Sequence, residues 1–476
     1  MVLPGTVLGV CNLVGITSRR QLAAVSTAWI QAHGHAQFFG WFATFIIGIS
    51  LYTLPKFRGA VCRSIPAGWA VWALWSAGVG LRWTAGVQRA AHPAEFRAAA
   101  ILEFLAVILF FWEMTAPGAN RRHKHAWELP ILAGFTALLL LLGWQLWLTM
   151  QPLNTPAIPA DPDRILISLA IWGFAFPVVV GYSVKLFPGL IGTAPSHRRG
   201  ILIAMVLLAM GVVGIVLDSP AWSSSALLLA VTSAAWALRV FHPKKGKAKA
   251  TGVYDHYPQF AQLAYFWLLV SAAIGYCVRH PGFLGASRHA FTVGFLVTLV
   301  FSIGPRILPS FLNSRELWSA RLMRISLLLI TAGCALRVVS EPLACGNILI
   351  AAWKILPVSA FAELAAVLLF AFNMMMSLAS PIPAWFGRKQ VNDRMSVYWL
   401  ISSYPATRKL MVANGLVTLA NAKAVPKSLT LREAAEADAV QPDVLVDKLC
   451  GFFESRLPRS PRQPLRTSES IRSTNR

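Results

Sequence analysis

The stretch His33-Gly34-His35-Ala36-Gln37 opens an apolar run that continues from Phe38 to Pro55. That run is long enough to cross a membrane as a helix, which needs roughly 20 apolar residues. It ends Gly48-Ile-Ser50-Leu-Tyr-Thr-Leu-Pro55, and similar endings recur as Gly181-Tyr-Ser183-Val-Lys-Leu-Phe-Pro188 and Ser302-Ile-Gly304-Pro-Arg-Ile-Leu-Pro309. In each, a small residue precedes a proline by seven, and each recurrence follows four apolar segments after the one before. This predicts three pseudo-repeated four-helix units, a form of internal symmetry common in membrane proteins. Small residues and proline also close membrane helices without any repeat, so the pattern is an expectation for the structure to meet.

Composition supports the membrane reading. Of 476 residues 56% are hydrophobic and 13% charged, more apolar surface than a water-soluble core can bury. The 43 basic residues against 19 acidic ones lie in short loops and in the tail rather than in a patch, which reads as topology and not as nucleic-acid binding. Cys11, Cys62, Cys277, Cys334, Cys345 and Cys450 occur singly, with neither a disulfide framework nor zinc spacing.

The predicted fold is all-α and polytopic, with about eleven to twelve transmembrane helices. By apolar length they lie near 33–55, 67–83, 97–116, 128–150, 164–190, 200–217, 220–241, 257–278, 288–310, 321–339 and 355–378, and form a bundle over residues 1–380. Loops bearing Lys56, Arg58, Arg63, Arg121, Arg122, Lys124, Arg198 and Arg199 alternate with loops nearly free of basic residues, such as 151–163. The positive-inside rule puts the rich loops and the C-terminus in the cytoplasm of a multi-pass inner-membrane protein, and the start of the His33 helix outside. Met1 to about Ile30 is then expected to supply a short or incomplete first helix, from a reading frame that begins upstream. Residues 381–394 read as a linker and 395–455 as a small cytoplasmic helical module, where Thr430 and Glu433 have the spacing of a capping box. The basic segment 456–476 reads as a disordered tail, with anionic lipid as an alternative contact.

His33, His35, His92, His280 and His289 fall at the outer ends of spans or in outer loops, whereas His123, His125, His197, His242 and His256 sit in basic cytoplasmic loops. Neutral imidazole ligates haem iron and copper. Residues two apart on a helix point about 200° apart, so His33 and His35 cannot share one metal unless Gly34 unwinds the helix. The pairing expected for a haem is His33 or His35 with His289. Arg82, Arg279, Arg288 and Arg337 lie near the same end and suit the haem carboxylates. Glu103, Glu113 and Glu363 fall inside spans, where an ionisable group is costly; each is a candidate for proton relay or for hydrogen bonding between helices.

Trp29-Ile-Gln-Ala-His33-Gly-His35-Ala-Gln-Phe-Phe-Gly40 resembles the WHxHE-type segment of the NnrS family. Arg288-His289-Ala-Phe-Thr-Val-Gly294 resembles that family's HAxTxG segment, and Trp172-Gly-Phe174 with Pro177 its proline helix. The resemblance implies a twelve-helix membrane protein that binds haem and copper, linked to nitric oxide metabolism and nitrosative stress. Where the family has Glu after its second histidine, this chain has Ala36 and Gln37. A weaker similarity to haem-copper oxidase subunits places Phe176 where those have a copper-ligating histidine, which argues against a binuclear centre. Residues 395–453 are similar to a small helical domain of unknown function. The expected ligands are therefore haem and copper at His33, His35 and His289, with nitric oxide or a related small molecule as partner; the redox partner is left open. A transporter or a membrane sensor without metal is the competing reading.

Overall fold

The computed structural model describes residues 1–58, 63–88, 93–114, 125–153, 155–242, 257–278, 281–311, 318–379, 391–393, 395–403, 406–421, 425–426 and 429–454. Twelve long helices lie among the described residues of the first of two compact units. They are α1 (Val2–Arg19), α2 (Thr27–Phe57), α3 (Ile65–Val87), α4 (Pro93–Met114), α5 (Glu128–Met150) and α6 (Ala160–Leu190). There follow α7 (Arg198–Val216), α8 (Pro220–Ala237), α9 (Tyr257–Tyr276), α10 (residues 281–311), α11 (Ala320–Cys345) and α12 (Ala352–Ala379). Eight of them are long and apolar enough to cross a membrane: α1, α2, α5, α6, α7, α10, α11 and α12. The chain is a multi-pass, all-helical membrane protein. The segment expected to be a short or incomplete first helix forms an 18-residue helix, α1, which packs on α2 and α12.

The three helices that carry the small-residue and proline endings, α2, α6 and α10, share an irregularity. Each passes through a π-helical segment, at Phe38–Ala43, Leu169–Ala175 and Ala290–Val297. These end five or six residues ahead of Gly48, Gly181 and Ser302. A π segment widens the turn and shifts the register of everything beyond it, and such segments gather at functional sites.

The helices that follow pack as three tight hairpins, α3 on α4, α7 on α8 and α11 on α12, the most extensive helix contacts in the molecule. A glycine makes each close approach possible. A methyl group on Gly78 would lie 3.1 Å from the Glu103 nitrogen, one on Gly211 3.4 Å from that of Leu227, and one on Gly333 3.3 Å from that of Glu363. Small residues that let backbones approach are the usual device of helix packing in lipid, where hydrocarbon outside competes with hydrocarbon inside. The far end of each hairpin closes alike. The N–H of Ser64, His197 and Ser319, each the N-cap of its helix and each fourteen residues before the glycine, is taken up by Glu113 (3.2 Å), Ala237 O (2.9 Å) and Asn373 (2.9 Å). Those acceptors lie ten residues beyond Glu103, Leu227 and Glu363. Around the bundle α4 meets α5, α8 meets α9 and α12 meets α1.

Among its described residues the second unit has five short helices, α13 (Val397–Ser403), α14 (Ala406–Ala413), α15 (Thr418–Asn421), α16 (Leu431–Ala437) and α17 (Pro442–Glu454). They enclose a core of their own that includes Val397, Leu400, Met411, Leu431, Leu445 and Leu449. The expected capping box is formed: Thr430 Oγ1 accepts from Glu433 N (3.2 Å), and the Glu433 carboxylate accepts from Thr430 N (2.9 Å).

Candidate functional site

His33 and His35 both lie on the regular helical stretch Thr27–Gln37, ahead of the π segment, so Gly34 does not unwind the helix. Two residues apart they face different neighbours, and the polar residues of this end divide into two clusters.

The first cluster is closed. His35 Nε2 lies 3.2 and 3.3 Å from the two carboxylate oxygens of Glu103 on α4, and Gln145 of α5 donates to the same carboxylate at 3.0 Å. The His35 ring stacks on Phe39, with centroids 4.7 Å apart. Arg82 of α3 donates to Gln31 at 3.3 Å and sits 4.1 Å over the Phe96 ring. Gln31 in turn bonds both the carbonyl (2.7 Å) and the N–H (2.9 Å) of Ile158. All of these side chains are buried, Glu103 completely. An ionised carboxylate is held at such depth only by neighbouring donors and charge. Three atoms still lack a hydrogen-bond partner among the described residues: His35 Nδ1, Arg82 Nη1 and Glu103 Oε1.

The second cluster faces a cavity of about 510 Å³ between α1, α2, α10, α11 and α12. Phe38, Trp41, Leu284, Val293 and Leu296 give it apolar walls, while His33, Arg288, His289, Arg337, Glu341 and Glu363 supply the polar groups. His289 Nε2 and a Glu363 oxygen are 2.7 Å apart, and Arg337 donates to Glu341, one turn along, at 3.0 Å. Arg288 donates to the Arg164 carbonyl at 3.4 Å, and its buried Nε has no partner among the described residues.

His33 is fixed by α1. Its Nδ1 lies 2.8 Å from the Gly5 carbonyl oxygen. A carbonyl can only accept, so Nδ1 carries the proton and Nε2 keeps the lone pair, the orientation a backbone carbonyl imposes on many metal-binding imidazoles. Gly9 makes room for the ring: a methyl group there would lie 2.5 Å from Cε1 and 2.8 Å from Nδ1. Gln37, where the resemblance expects a carboxylate nearby, ties α2 to α1 by donating to the Val2 carbonyl (3.0 Å) and to Thr6 (2.8 Å).

Of the residues selected from sequence, His33, His289, Arg288 and Arg337 thus share the cavity, while His35 and Arg82 belong to the closed cluster. Glu103 and Glu363 hydrogen-bond between helices, as does Glu113, which accepts from Ser64 N. His92, Arg279 and His280 lie outside the described residues, as do His123 and His256. His125 and His197 stack on Trp127 and Trp236, away from both clusters. Sequence reasoning missed Gly5, Gly9 and Glu341. The first two sit in α1, whose apolar composition gives no sign of what it packs against; a carboxylate one turn from Arg337 was a signal for the third.

No group of three or more His, Cys, Asp and Glu side chains able to hold a metal ion occurs among the described residues. A metal that brings most of its own ligands needs less from the protein. Haem supplies four ring nitrogens and asks for one or two axial side chains, an apolar slot and cations for its two carboxylates. The cavity offers imidazoles, guanidinium groups and apolar walls, together with the carboxylates of Glu341 and Glu363. Copper held by side chains alone finds no equivalent set among the described residues. The family model described as NnrS protein matches residues 5–381. No curated protein matches the chain.

Proposed function

Because the chain belongs to the NnrS family, we propose that it is a haem-binding inner-membrane protein of nitric oxide metabolism, with the haem in the cavity lined by His33, His289, Arg288 and Arg337. One observation carries this reading: two imidazoles and two guanidinium groups, from three helices, converge with the carboxylates of Glu341 and Glu363 on a single cavity with otherwise largely apolar walls. That combination suits a flat apolar macrocycle with two carboxylates. Haem iron, when bound there, would supply reversible coordination of nitric oxide or a related small molecule.

The protein's own part is to hold and shield. The walls formed by Phe38, Trp41, Leu284 and Leu296 exclude water, Arg288 and Arg337 supply countercharge, and Gly5 fixes the His33 ring. The three four-helix sets α1–α4, α5–α8 and α9–α12 are copies of one unit, supported by the shared π segments, glycine contacts and cap bonds. The basic loops support a bundle whose histidine end faces outward and a C-terminus in the cytoplasm.

The test is an absorbance spectrum of the purified full-length protein, oxidised and reduced, with haem counted per chain. An intense Soret band near one haem per chain is the expected result. Protein from haem-replete cells that shows no Soret band would refute the proposal and favour a transporter.

A further inference from the structure

The three four-helix sets share some of their polar residues and differ in others. Counted back thirteen residues from Gly48, Gly181 and Ser302, the second helices carry His35, Ser168 and His289. The glycines at the hairpin contacts, Gly78, Gly211 and Gly333, are followed four residues later by Arg82, Ile215 and Arg337. Opposite them stand Glu103, Leu227 and Glu363. The first and third sets therefore hold the same constellation, a histidine on the second helix bound through Nε2 to a glutamate on the fourth, with an arginine one turn beyond the glycine on the third. In the middle set all three polar members are replaced together. In the first set the pair is buried among Gln145, Phe39 and Phe96 and does not line the cavity. A His–Glu pair is thus how this unit ties its second helix to its fourth, and His289–Glu363 follows from that plan without reference to any ligand.

His33 does not follow from it. The equivalent positions, fifteen residues before Gly181 and Ser302, are Leu166 and Ser287. Yet α1 is shaped around this one ring, with the Gly5 carbonyl on Nδ1 and the absent side chain of Gly9 against its edge. The two imidazoles at the cavity also present different nitrogens. Glu363 occupies Nε2 of His289, leaving Nδ1, which is flanked by the carbon that carries the rest of the side chain. A flat macrocycle approached through Nδ1 would collide with that residue's own Cβ. His33 keeps Nε2, flanked on both sides by C–H alone.

We infer that His33 is the single protein ligand of the haem iron, and that His289, held by Glu363, faces the same cavity without ligating the metal. The inference rests on the haem-binding reading above and assigns the two histidines different roles within it. Glu363 is then a positioning residue, acting through His289.

Electron paramagnetic resonance of the full-length ferric protein, with haem counted per chain, tests this. Wild type is expected to be high-spin. His289→Ala and Glu363→Gln are expected to keep about one haem per chain, whereas His33→Gly loses haem affinity by more than about tenfold and recovers the Soret band when imidazole is added. Gly9→Ala provides a check that leaves both histidines in place, and it should behave as a weakened His33. A low-spin bis-imidazole signal in wild type that collapses in His289→Ala would overturn the inference, as would loss of haem from His289→Ala with retention in His33→Gly. Wild-type protein without any haem would instead overturn the underlying functional reading, and with it this assignment.

Discussion

The substitution Gly9→Ala probes the cavity without touching a polar group. Its methyl carbon would lie 2.5 Å from Cε1, 2.8 Å from Nδ1 and 3.2 Å from Nε2 of His33. Carbon atoms in contact settle at about 3.5–4.0 Å, so the ring or α1 has to retreat by roughly 1 Å. The bond from His33 Nδ1 to the Gly5 carbonyl, 2.8 Å long, does not survive a retreat of that size. Overpacking costs about 1–3 kcal/mol and the lost hydrogen bond about 0.5–1.5 kcal/mol, against a gain of up to about 1 kcal/mol from replacing a mid-helix glycine. The net, about 0.5–4.5 kcal/mol with a midpoint of about 2.5 kcal/mol, corresponds at that midpoint to roughly a seventyfold loss of haem affinity if the ring must return to its place before the group binds. Titration of haem into apo-protein, followed at the Soret band, measures this directly. Gly48→Ala is the control, since a methyl group there, on the same helix but not lining the cavity, meets no atom within 4 Å. Equal haem affinity in the two variants would refute the claim that α1 positions His33.

Gly78→Ala drives a methyl group to 2.8 Å from Glu103 Cγ and 3.0 Å from the Ala99 carbonyl. Backbone cannot yield as a flexible side chain does, so thermal unfolding in detergent should show a loss of about 1–3 kcal/mol, whereas Gly80→Ala, with nothing within 4 Å, should be neutral or slightly stabilising. Thr430→Ala removes one half of the capping box and should destabilise the helical module by about 1 kcal/mol, read as faster proteolysis within residues 429–454 and unchanged cleavage elsewhere. A topology reporter fused after Phe453 should report the cytoplasm and one inserted near Ala157 the outside; finding both on one side would refute the orientation.

The class of fold was legible because its signal is compositional: apolar runs of spanning length, punctuated by Pro55, Pro188 and Pro309, need no knowledge of contacts. The separation of His33 from His35 was legible too, since helical geometry alone sets residues two apart on different faces. The partners of the buried glutamates were not. Glu103 and Glu363 stood out as costly charges in lipid, but nothing in sequence says that the first meets His35, 68 residues earlier, and the second His289, 74 residues earlier. The π segments leave no compositional trace, because they are a change of hydrogen-bond register within an unbroken apolar run. The first helix carries a weak signal for a related reason. Val2–Arg19 is diluted by Gly5, Gly9 and Gly15, and those glycines weaken the local signal for a helix while two of them provide the surface that His33 packs on.

The same His–Glu pair therefore occupies two settings, and the helix that follows each four-helix set around the bundle decides which. Beside the first set stands α5, whose Gln145 reaches in and donates to the Glu103 carboxylate at 3.0 Å. The pair is enclosed by protein, though His35 Nδ1 and Glu103 Oε1 have no hydrogen-bond partner among the described residues; the histidine side chain is 7% exposed and the glutamate 0%. Beside the third set stands α1, which offers Thr6, Gly9 and Val10 to the cavity in place of a long amide. There the histidine side chain is 22% exposed and the glutamate 13%, and the space that Gln145 fills in one set stays open in the other. Burying a charged pair without donors is costly, so a site of this kind is either closed by a polar side chain or left open to something that supplies its own hydrogen bonds. The first set takes the former course and the third the latter. A cavity at the third set is in this sense written into α1, through two glycines that admit His33 and a lining of Thr6, Gly9, Val10 and the short amide of Asn12.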